Sequence, residues 1–261
     1  MISLKNITVH FGKGTAAFRT ALKNISLKIQ EGEFVTVIGS NGAGKSTLLN
    51  AIAGEFIPDT GHIWIDDENV TQYSTSTRAK HVARVFQDPI AGTCSHLTIG
   101  ENLALAMCRG KSRSLKSAVT QASRTHFQSI LKPLNLGLEN RLDTSMAMLS
   151  GGQRQAISLL MATLSPLKIL LLDEHTAALD PKTSRFVMDV TQRIVVEKGL
   201  TALMVTHSLG HALQYGTRTV MLHESQLIYD VSGNERKKLT PQDLMHQFGN
   251  SIDSDRLLLN T

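Results

Sequence analysis

Apolar residues alternate with polar ones near the amino terminus, in two runs separated by a segment that contains glycine. Side chains two positions apart point to the same face of a strand, so this spacing is typical of strands with one buried face. Together the two runs predict an antiparallel β lobe. The apolar positions that define it are Ile2, Leu4, Ile7, Val9, Leu22, Ile25, Leu27 and Ile29.

Short apolar runs further along the chain predict strands, and stretches with helical spacing lie between them. Residues 34–38 (FVTVI) suit a strand that is buried on both faces, and they run directly into a glycine-rich segment and a helix at 45–53. Strands that alternate with helices imply right-handed crossovers and a mainly parallel sheet, which is the α/β fold class. The remaining core elements are predicted strands at 62–66, 82–86, 168–173, 201–206, 217–222 and 226–230 and a helix at 181–198.

Between Asp88 and about Leu164 the pattern is helical. Residues 101–107 and 115–131 have helical spacing, and Gly110 and Pro133 interrupt them, which predicts a helical lobe inserted into the core. A basic run lies in this region, and we interpret it as a solvated face, with contact to lipid head groups or a partner as the alternative. It consists of Arg109, Lys111, Arg113 and Lys116.

Length and charge narrow the class of protein only slightly. A chain of 261 residues can form one sizeable α/β domain, and a net charge of +5 does not choose among anionic partners. The amino terminus lacks a signal-peptide pattern, and the apolar runs are far shorter than the ~20 residues that span a bilayer, so a membrane role would depend on partners. Cys94 and Cys108 have no disulfide-framework spacing, and we expect both to be reduced in the cytosol.

The glycine-rich segment after the first core strand fits the phosphate-binding pattern G-x-x-x-x-G-K-[ST]. Glycines let the backbone fold around phosphate groups, and amides at the start of the following helix point at them. Lys45 adds a positive charge, and the Ser46 hydroxyl can be a ligand of Mg²⁺. The predicted nucleotide-binding residues of this segment are Gly39, Ser40, Asn41, Gly42, Ala43, Gly44, Lys45, Ser46 and Thr47.

Two acidic residues, Asp173 and Glu174, end a later apolar strand. Carboxylates at the carboxyl ends of parallel strands lie in the crevice where α/β sheets hold ligands. Such a pair is common by itself. Together with the phosphate-binding segment, it predicts that Asp173 holds Mg²⁺ and that Glu174 polarises a water molecule.

The segment LSGGQ, residues 149–153, precedes a run with helical spacing. Ser150 suits a helix N-cap, and the neighbouring glycines would expose backbone donors at the positive helix end, although an ordinary capped helix is the alternative. Ser150 lies 23 residues before Asp173. In sequence and placement this segment resembles the signature of ATP-binding cassette (ABC) ATPases, and the resemblance covers roughly residues 2–230.

The resemblance extends to two residues at the edges of predicted strands. Phe11 resembles the aromatic residue that stacks on adenine, with a position in the core as the alternative and Phe18 as a rival. Gln87 resembles the glutamine that senses Mg²⁺ and the attacking water and connects to the membrane partner.

Two further residues follow the acidic pair. Asp180 lies in a segment that resembles the one through which two ABC ATPases communicate, and Asp180 before Pro181 is also a plain helix start. His207 resembles the histidine that contacts the γ-phosphate. A metal site formed by His207 and His211, four apart on one helix face, is the alternative.

The resemblance implies an ATPase with ATP and Mg²⁺ as cofactors. Glu174, His207 and Gln87 would act in catalysis, and Ser46, Gln87 and Asp173 would hold the metal. Two chains would enclose two ATP molecules, with each site completed by residues from the opposite chain. Those residues are Ser150, Gly151, Gly152, Gln153 and Asp180.

The implied organisation is a single ABC ATPase domain, residues 1–240, followed by a helical tail at 241–261. Within it, residues 1–87 form the β lobe and phosphate-loop core, 88–165 the helical lobe and 166–240 the rest of the core. The implied partners are a second copy, membrane-spanning permease subunits and an extracytoplasmic solute-binding protein, with no nucleic acid. The expected location is the cytoplasmic face of the plasma membrane.

The sequence departs from the family pattern at the residue after the catalytic glutamate. ABC importers commonly have proline after the catalytic glutamate, whereas this chain has His175. DEHTAALDP at 173–181, with FQDPIAGT at 86–93, resembles a subgroup of bacterial importers linked to aromatic amino acids.

Rival functions remain open within and outside this family. A soluble ABC ATPase that drives assembly, such as iron-sulfur cluster formation, is the main alternative. ABC proteins that act on nucleic acids usually have tandem cassettes or a coiled coil, which this sequence lacks, and a P-loop kinase would not explain LSGGQ.

Overall fold

The structure, a computed structural model, describes residues 1–111 and 118–248. The described residues form two compact units, one drawn from 1–78 and 199–248 and the other from 79–198. The strands are β1 (Ile2–Phe11), β2 (Arg19–Ile29), β3 (Phe34–Gly39), β4 (Thr60–Ile65), β5 (Glu68–Asn69), β6 (Val82–Val85), β7 (Ile169–Asp173), β8 (Ala202–Val205), β9 (Arg218–His223) and β10 (Gln226–Ser232). The helices are α1 (Lys45–Ala53), α2 (Thr75–Arg78), α3 (Ile99–Met107), α4 (Gln121–Leu131), α5 (Gly151–Ala162), α6 (Pro181–Glu197), α7 (Leu209–Gln214), α8 (Gly233–Arg236) and α9 (Pro241–Phe248).

The first unit contains the predicted β lobe. Its sheet has the order β2-β1-β4-β5, and β1 pairs antiparallel with both β2 and β4. Ile2 lies opposite Ile29 on one side and Ile65 on the other. All the apolar positions that predicted this lobe are buried, which confirms the alternating pattern as the face of a core.

The first unit also contains a parallel sheet. Strand β3 lies between β8 and β9 and runs parallel to both, and β10 pairs antiparallel with β9. Every residue of β3 is buried, as predicted for a strand covered on both faces. Val37 lies opposite Val205, and Gly39 lies opposite Leu222, so the segments that follow β3 and β8 emerge at the same edge of the sheet.

Helix α1 has the predicted bounds, and a buried arginine fixes its carboxyl end. Arg78 is fully buried, and its guanidinium donates to the carbonyl oxygens of Ala51 at 2.6 Å, Ile52 at 2.9 Å and Thr71 at 2.9 Å. The bonds to Ala51 and Ile52 engage carbonyls of the last turn of α1, and the bond to Thr71 joins this helix end to the segment after β5. Burial lowers the pKa of Arg78 to about 10.

The second unit contains the predicted helical lobe and a two-stranded parallel pair. Strands β6 and β7 are in register from Val82 opposite Ile169 to Val85 opposite Leu172. Helix α5 packs on α6 so closely that a side-chain carbon at Gly152 would collide with the Thr183 methyl group. Phe127 and Leu131 of α4 are buried, as its helical spacing predicts.

Two predictions about the helices need correction, and a third is confirmed as far as the described residues reach. The helix expected at 115–131 begins only at Gln121, because Thr120 and Ser123 form a capping box. Residues 112–117 lie outside the described part of the chain. Residues 118–120 are described and are not helical. The tail expected to be helical over 241–261 is helix α9 as far as residue 248, and its remainder lies outside the described residues. His207 and His211 do not share a helix face, since α7 begins at Leu209 with Ser208 as its N-cap.

The basic run is only partly a solvated face. The Arg109 guanidinium donates to the carbonyl oxygens of Ala162 at 2.8 Å and Ser165 at 2.9 Å, so this residue stabilises the carboxyl end of α5. Burial lowers its pKa. Lys111 is exposed, as expected, whereas Arg113 and Lys116 lie outside the described residues.

Candidate functional site

The phosphate-binding segment links β3 to α1 in the first unit. Side-chain carbons at Gly39 and Gly44 would collide with the carbonyl oxygens of Leu222 and Ala21, respectively, so the backbone passes too close to its neighbours for any larger residue. Gly44 is also in the left-handed region, with φ 102°. As the N-cap of α1 it has no side chain to bond the first amides of the helix, and α1 has no acidic residue in its first turn. These amides are directed as an anion site requires.

Lys45 lies within this loop. Its side chain is buried, and Nζ donates to the carbonyl oxygens of Gly39 at 2.8 Å and Ser40 at 3.0 Å. The charge is thereby held against the loop backbone, where a phosphate group would approach. Ser46, the predicted Mg²⁺ ligand, is exposed, and Thr47 is half-buried.

His207 lies at the same sheet edge as the phosphate-binding segment. It follows β8 by two residues, and the preceding Thr206 donates its amide to the Val37 carbonyl oxygen at 3.1 Å, which continues the pairing with β3. The alternative of a metal pair with His211 assumed one helix face for both residues, whereas His207 lies before α7 and His211 within it.

Phe11 ends β1 and is half-buried. The Phe56 ring meets it edge-on, with centroids 5.6 Å apart, and the Arg19 guanidinium carbon lies 5.6 Å from its centroid. Sequence reasoning missed Arg19. Phe18, the rival of Phe11, is 55% exposed and stacks on His10, with centroids 5.3 Å apart. Both phenylalanines therefore remain possible adenine contacts, and each already has a neighbour on its ring.

The acidic pair lies at the end of β7 in the second unit. Asp173 forms an ion pair with Arg84 of β6, at 2.5 Å between Nη2 and Oδ2. Sequence reasoning missed this partner, although an arginine inside an otherwise apolar strand, VARVF, was a usable signal. Arg84 also lies over the Phe86 ring, 4.8 Å from its centroid.

Glu174 has an unusual backbone conformation, with φ 46°. Left-handed backbone is costly for a residue with a long side chain, and such residues concentrate at functional sites. The next residue, His175, is buried, and its Nε2 lies 3.0 Å from the Thr191 hydroxyl oxygen of α6. Because that hydroxyl donates to the Val187 carbonyl at 2.8 Å, it accepts from His175, which places the ring proton on Nε2.

Gln87 follows β6 and is exposed, as a residue that contacts ligand or partner must be before binding. The carbonyl of the preceding Phe86 accepts a hydrogen bond from Gln155 Nε2 of α5 at 3.1 Å. The backbone next to Gln87 is therefore tied to α5, the helix that begins within LSGGQ.

The LSGGQ segment begins α5 as predicted. Ser150 is its N-cap and forms a capping box with Gln153, with bonds of 3.3 Å and 3.2 Å. Gly151 lies against Leu179, and Gly152 against Thr183. Asp180 is the N-cap of α6 and accepts from the Thr183 amide at 3.1 Å, and its bonds to Thr183 lower its pKa. The helix-capping interpretations are confirmed, while the nucleotide contacts of these residues stay predictions.

The predicted metal ligands are chemically suited to Mg²⁺. Ser46, Gln87 and Asp173 offer a hydroxyl, an amide and a carboxylate oxygen, the hard donors that this ion takes. The ion pair with Arg84 shows that the Asp173 carboxylate attracts a cation in its place at the end of β7.

Residues 22–177 match the family described as ABC transporter. The chain is 45% identical over 248 residues to the tyrosine transport ATP-binding protein of Clostridioides difficile (strain R20291), covering 95% of this chain and 98% of that protein. It is 35% identical to the thiamine import ATP-binding protein ThiQ of Photorhabdus laumondii, over 88% and 90% of the two chains.

Solved structures give the same result. The dimeric ATP-binding cassette MJ0796 bound to ADP and Pi superposes with a TM-score of 0.75 at 32% identity, covering 89% of this chain and 98% of that one. A nucleotide-free cassette from an ABC transporter, 22% identical, shares the fold with a TM-score of 0.76. Family, relatives and fold agree, and the chain belongs to the ABC transporter family as an ATP-binding subunit that hydrolyses ATP.

Proposed function

We propose that this chain powers the uptake of an aromatic amino acid. The observation that carries the proposal is its similarity, over nearly the full length of both proteins, to a protein named for tyrosine transport. Relatives named for thiamine import support import as the direction. The HTAALDP continuation of its acidic pair fits the same subgroup.

The proposed assembly contains two copies of this chain, membrane-spanning permease subunits and an extracytoplasmic solute-binding protein. The dimeric cassette MJ0796 supports pairing of two copies. No helix within residues 1–111 and 118–248 has the length and apolar character to cross a bilayer. Separate permease subunits would therefore provide the pathway, with this chain attached at the cytoplasmic face of the plasma membrane.

For the reaction ATP + H₂O → ADP + phosphate, we assign the residues as follows. Amides of the phosphate-binding segment and Lys45 hold the β- and γ-phosphates, and His207 donates to the transferring phosphoryl group. Glu174 accepts a proton from the attacking water, which Gln87 orients. Ser46, Gln87 and Asp173 would hold Mg²⁺, whose charge would offset the negative charge on the phosphate oxygens.

Two substitutions separate binding from chemistry. Lys45→Ala should weaken ATP binding by roughly 10- to 100-fold, because it removes a charged donor to phosphate. Glu174→Gln should retain ATP affinity and lower turnover by roughly 10²- to 10⁴-fold, because an amide cannot accept the proton. Equilibrium binding of a fluorescent ATP analogue and phosphate release measure the two effects. Hydrolysis by Glu174→Gln at the wild-type rate would show that another residue is the base.

Uptake tests the solute. In cells that lack this gene, the wild-type chain should restore accumulation of labelled tyrosine, and Glu174→Gln should not, although it is present at the same level. Labelled thiamine is the matched comparison, and we expect no change in its uptake. Restored thiamine uptake alone would contradict the amino acid proposal. If neither solute responds and no multi-span membrane protein co-purifies with the chain, the assembly ATPase becomes the better interpretation.

A further inference from the structure

Arg84 occupies a place in β6 where the strand pattern predicts an apolar residue. Its side chain is only 12% exposed and that of Asp173 only 14% exposed, so their ion pair lies largely out of solvent. The pairing of β6 with β7 aligns Arg84 with Leu171, two residues before Asp173. Stacking over the Phe86 ring restricts the direction of the guanidinium further.

A carboxylate in such surroundings needs an opposite charge. An ionised group away from water is costly unless it is paired, and the pair is retained when its geometry and hydrogen bonding are good. Arg84 meets this need through a charge-assisted bond of 2.5 Å. Asp173 is also the carboxylate that we assign to Mg²⁺. Two cations near one carboxylate repel each other, so the metal and the guanidinium oppose each other there.

We propose that Arg84 is a positioning residue that serves as the resident counter-cation of Asp173 while no metal is bound, and thereby sets the Mg²⁺ concentration at which nucleotide is held. The inference rests on the proposed assignment of Asp173 to Mg²⁺. Asp173 keeps one cation partner in both states. Binding of Mg²⁺ weakens the bond to Arg84, and this cost raises the Mg²⁺ concentration that is required.

The position of Arg84 also connects the exchange to Gln87. Phe86, on which the guanidinium stacks, directly precedes Gln87, and its carbonyl accepts from Gln155 of α5. A guanidinium that leaves Asp173 changes its contact with this ring. Metal binding at the end of β7 therefore changes a contact of Phe86, the residue next to Gln87.

The test compares Arg84→Met with the wild type in a titration of free Mg²⁺ at a fixed concentration of fluorescent ATP analogue. We expect the midpoint for Arg84→Met to fall about 5-fold, because the competing cation is gone. Mg²⁺ that binds the free analogue affects both titrations equally, so their difference reports on the protein. Arg84→Lys retains the charge and should have a midpoint close to that of the wild type.

A matched control removes a different arginine. Arg124 in the same unit forms a two-pronged ion pair with Asp143 that is exposed to solvent. Arg124→Met changes the net charge as Arg84→Met does, and it should leave the Mg²⁺ midpoint unchanged. An equal fall in both variants would show a general effect of charge and would overturn the proposal.

A second measurement needs neither metal nor nucleotide. In EDTA, Arg84→Met leaves the Asp173 carboxylate without its counter-charge, so we expect the thermal midpoint to fall by about 4 °C or more, and further than for Arg124→Met. If Arg84→Met does not fold, Arg84→Gln replaces it in both measurements, because it keeps a hydrogen-bond donor and loses the charge. An undiminished thermal midpoint in EDTA would contradict the role of counter-cation.

The two proposals fail in different ways. If the wild-type chain binds the analogue equally well with and without Mg²⁺, the assignment of Asp173 to the metal is wrong, and the role of Arg84 is wrong with it. If the wild type requires Mg²⁺ and the Arg84→Met midpoint stays level or rises, only the inference about Arg84 is wrong.

Discussion

Phe11 and Phe18 are two candidate stacking surfaces for adenine at the end of β1 and just beyond it. We expect Phe11→Ala to weaken ATP binding by roughly 1 kcal/mol, or about 5-fold, because an aromatic contact of that scale is lost. Phe11 has the Arg19 guanidinium near its face, and adenine would have to share or displace this contact. Titration of the fluorescent ATP analogue measures the change.

Phe18→Ala is the natural control for this prediction. Its ring is the more exposed of the two and stacks on His10 rather than beside Arg19. We expect its affinity for the analogue to equal that of the wild type. A loss confined to Phe18→Ala would assign the adenine contact to Phe18 instead.

Among single residues, the sequence predicted those whose structural role follows from the conformation of the backbone at that residue. Ser150 as an N-cap and the glycines of the phosphate-binding segment follow from local conformation, and the structure confirms their local geometry. The pair of Arg84 and Asp173 could not be predicted, since it depends on the register between β6 and β7, which are separated by more than eighty residues of sequence. Strand alternation states which face a residue occupies but not what lies opposite.

Helix α6 is tied through its Thr191 to His175, the residue after Glu174. We expect Thr191→Val, which keeps the shape and removes the hydroxyl, to destabilise the protein by about 1–3 kcal/mol, because the buried His175 Nε2 loses its acceptor. Turnover should fall more than ATP affinity, since Glu174 adjoins the histidine that loses this bond. Chemical unfolding and phosphate release measure the two effects.

Thr125→Val provides the comparison for this prediction. The Thr125 hydroxyl also bonds a carbonyl one turn earlier, that of Gln121, but on the exposed side of α4 and without a histidine. Its loss should change stability and turnover little. Equal effects in the two variants would mean that the histidine contact has no special part in holding Glu174.

The ends of the predicted helices are accurate where strong start and stop residues mark them. Helix α1 has its predicted ends because Gly44 and Gly54 lie just outside it in left-handed backbone. The start of α4 was wrong because its capping box uses Ser123 where glutamate is the usual signal. Arg109 was misjudged for a different reason, since nothing in a run of basic residues reveals which one caps a distant helix.

For the whole molecule, the central expectation is that two chains share each ATP. Lys45→Ala damages the phosphate-binding half of a site, and Ser150→Arg damages the half given by LSGGQ. Each homodimer should be nearly inactive. In an equimolar mixture, half of the dimers combine the two chains and each has one intact site, so we expect up to about a quarter of wild-type ATPase activity, increasing with protein concentration.

Ser150→Ala distinguishes loss of the helix cap from a blocked interface. It removes the hydroxyl that accepts from Gln153 but adds no bulk, so it should destabilise α5 by about 1 kcal/mol and retain most of the activity. Undiminished turnover by Ser150→Arg at dilutions where it is monomeric would exclude the shared site.

Partners and solute cannot be deduced from one chain at all, because the contacts that select them lie on other polypeptides.

The backbone at Glu174 and at two glycines predicts how this protein would change if it were released from selection for ATP hydrolysis. Gly39 and Gly44 are fixed by collisions with the carbonyls of Leu222 and Ala21, which belong to the protein itself and not to a ligand. At Glu174, by contrast, the local backbone disfavours the residue that is present, because left-handed backbone suits glycine or asparagine better than glutamate. A descendant that had become a purely structural copy would keep both glycines and drift first at position 174. An intact glycine loop would therefore be poor proof of activity in a paralogue, and a retained glutamate in that conformation would be good proof.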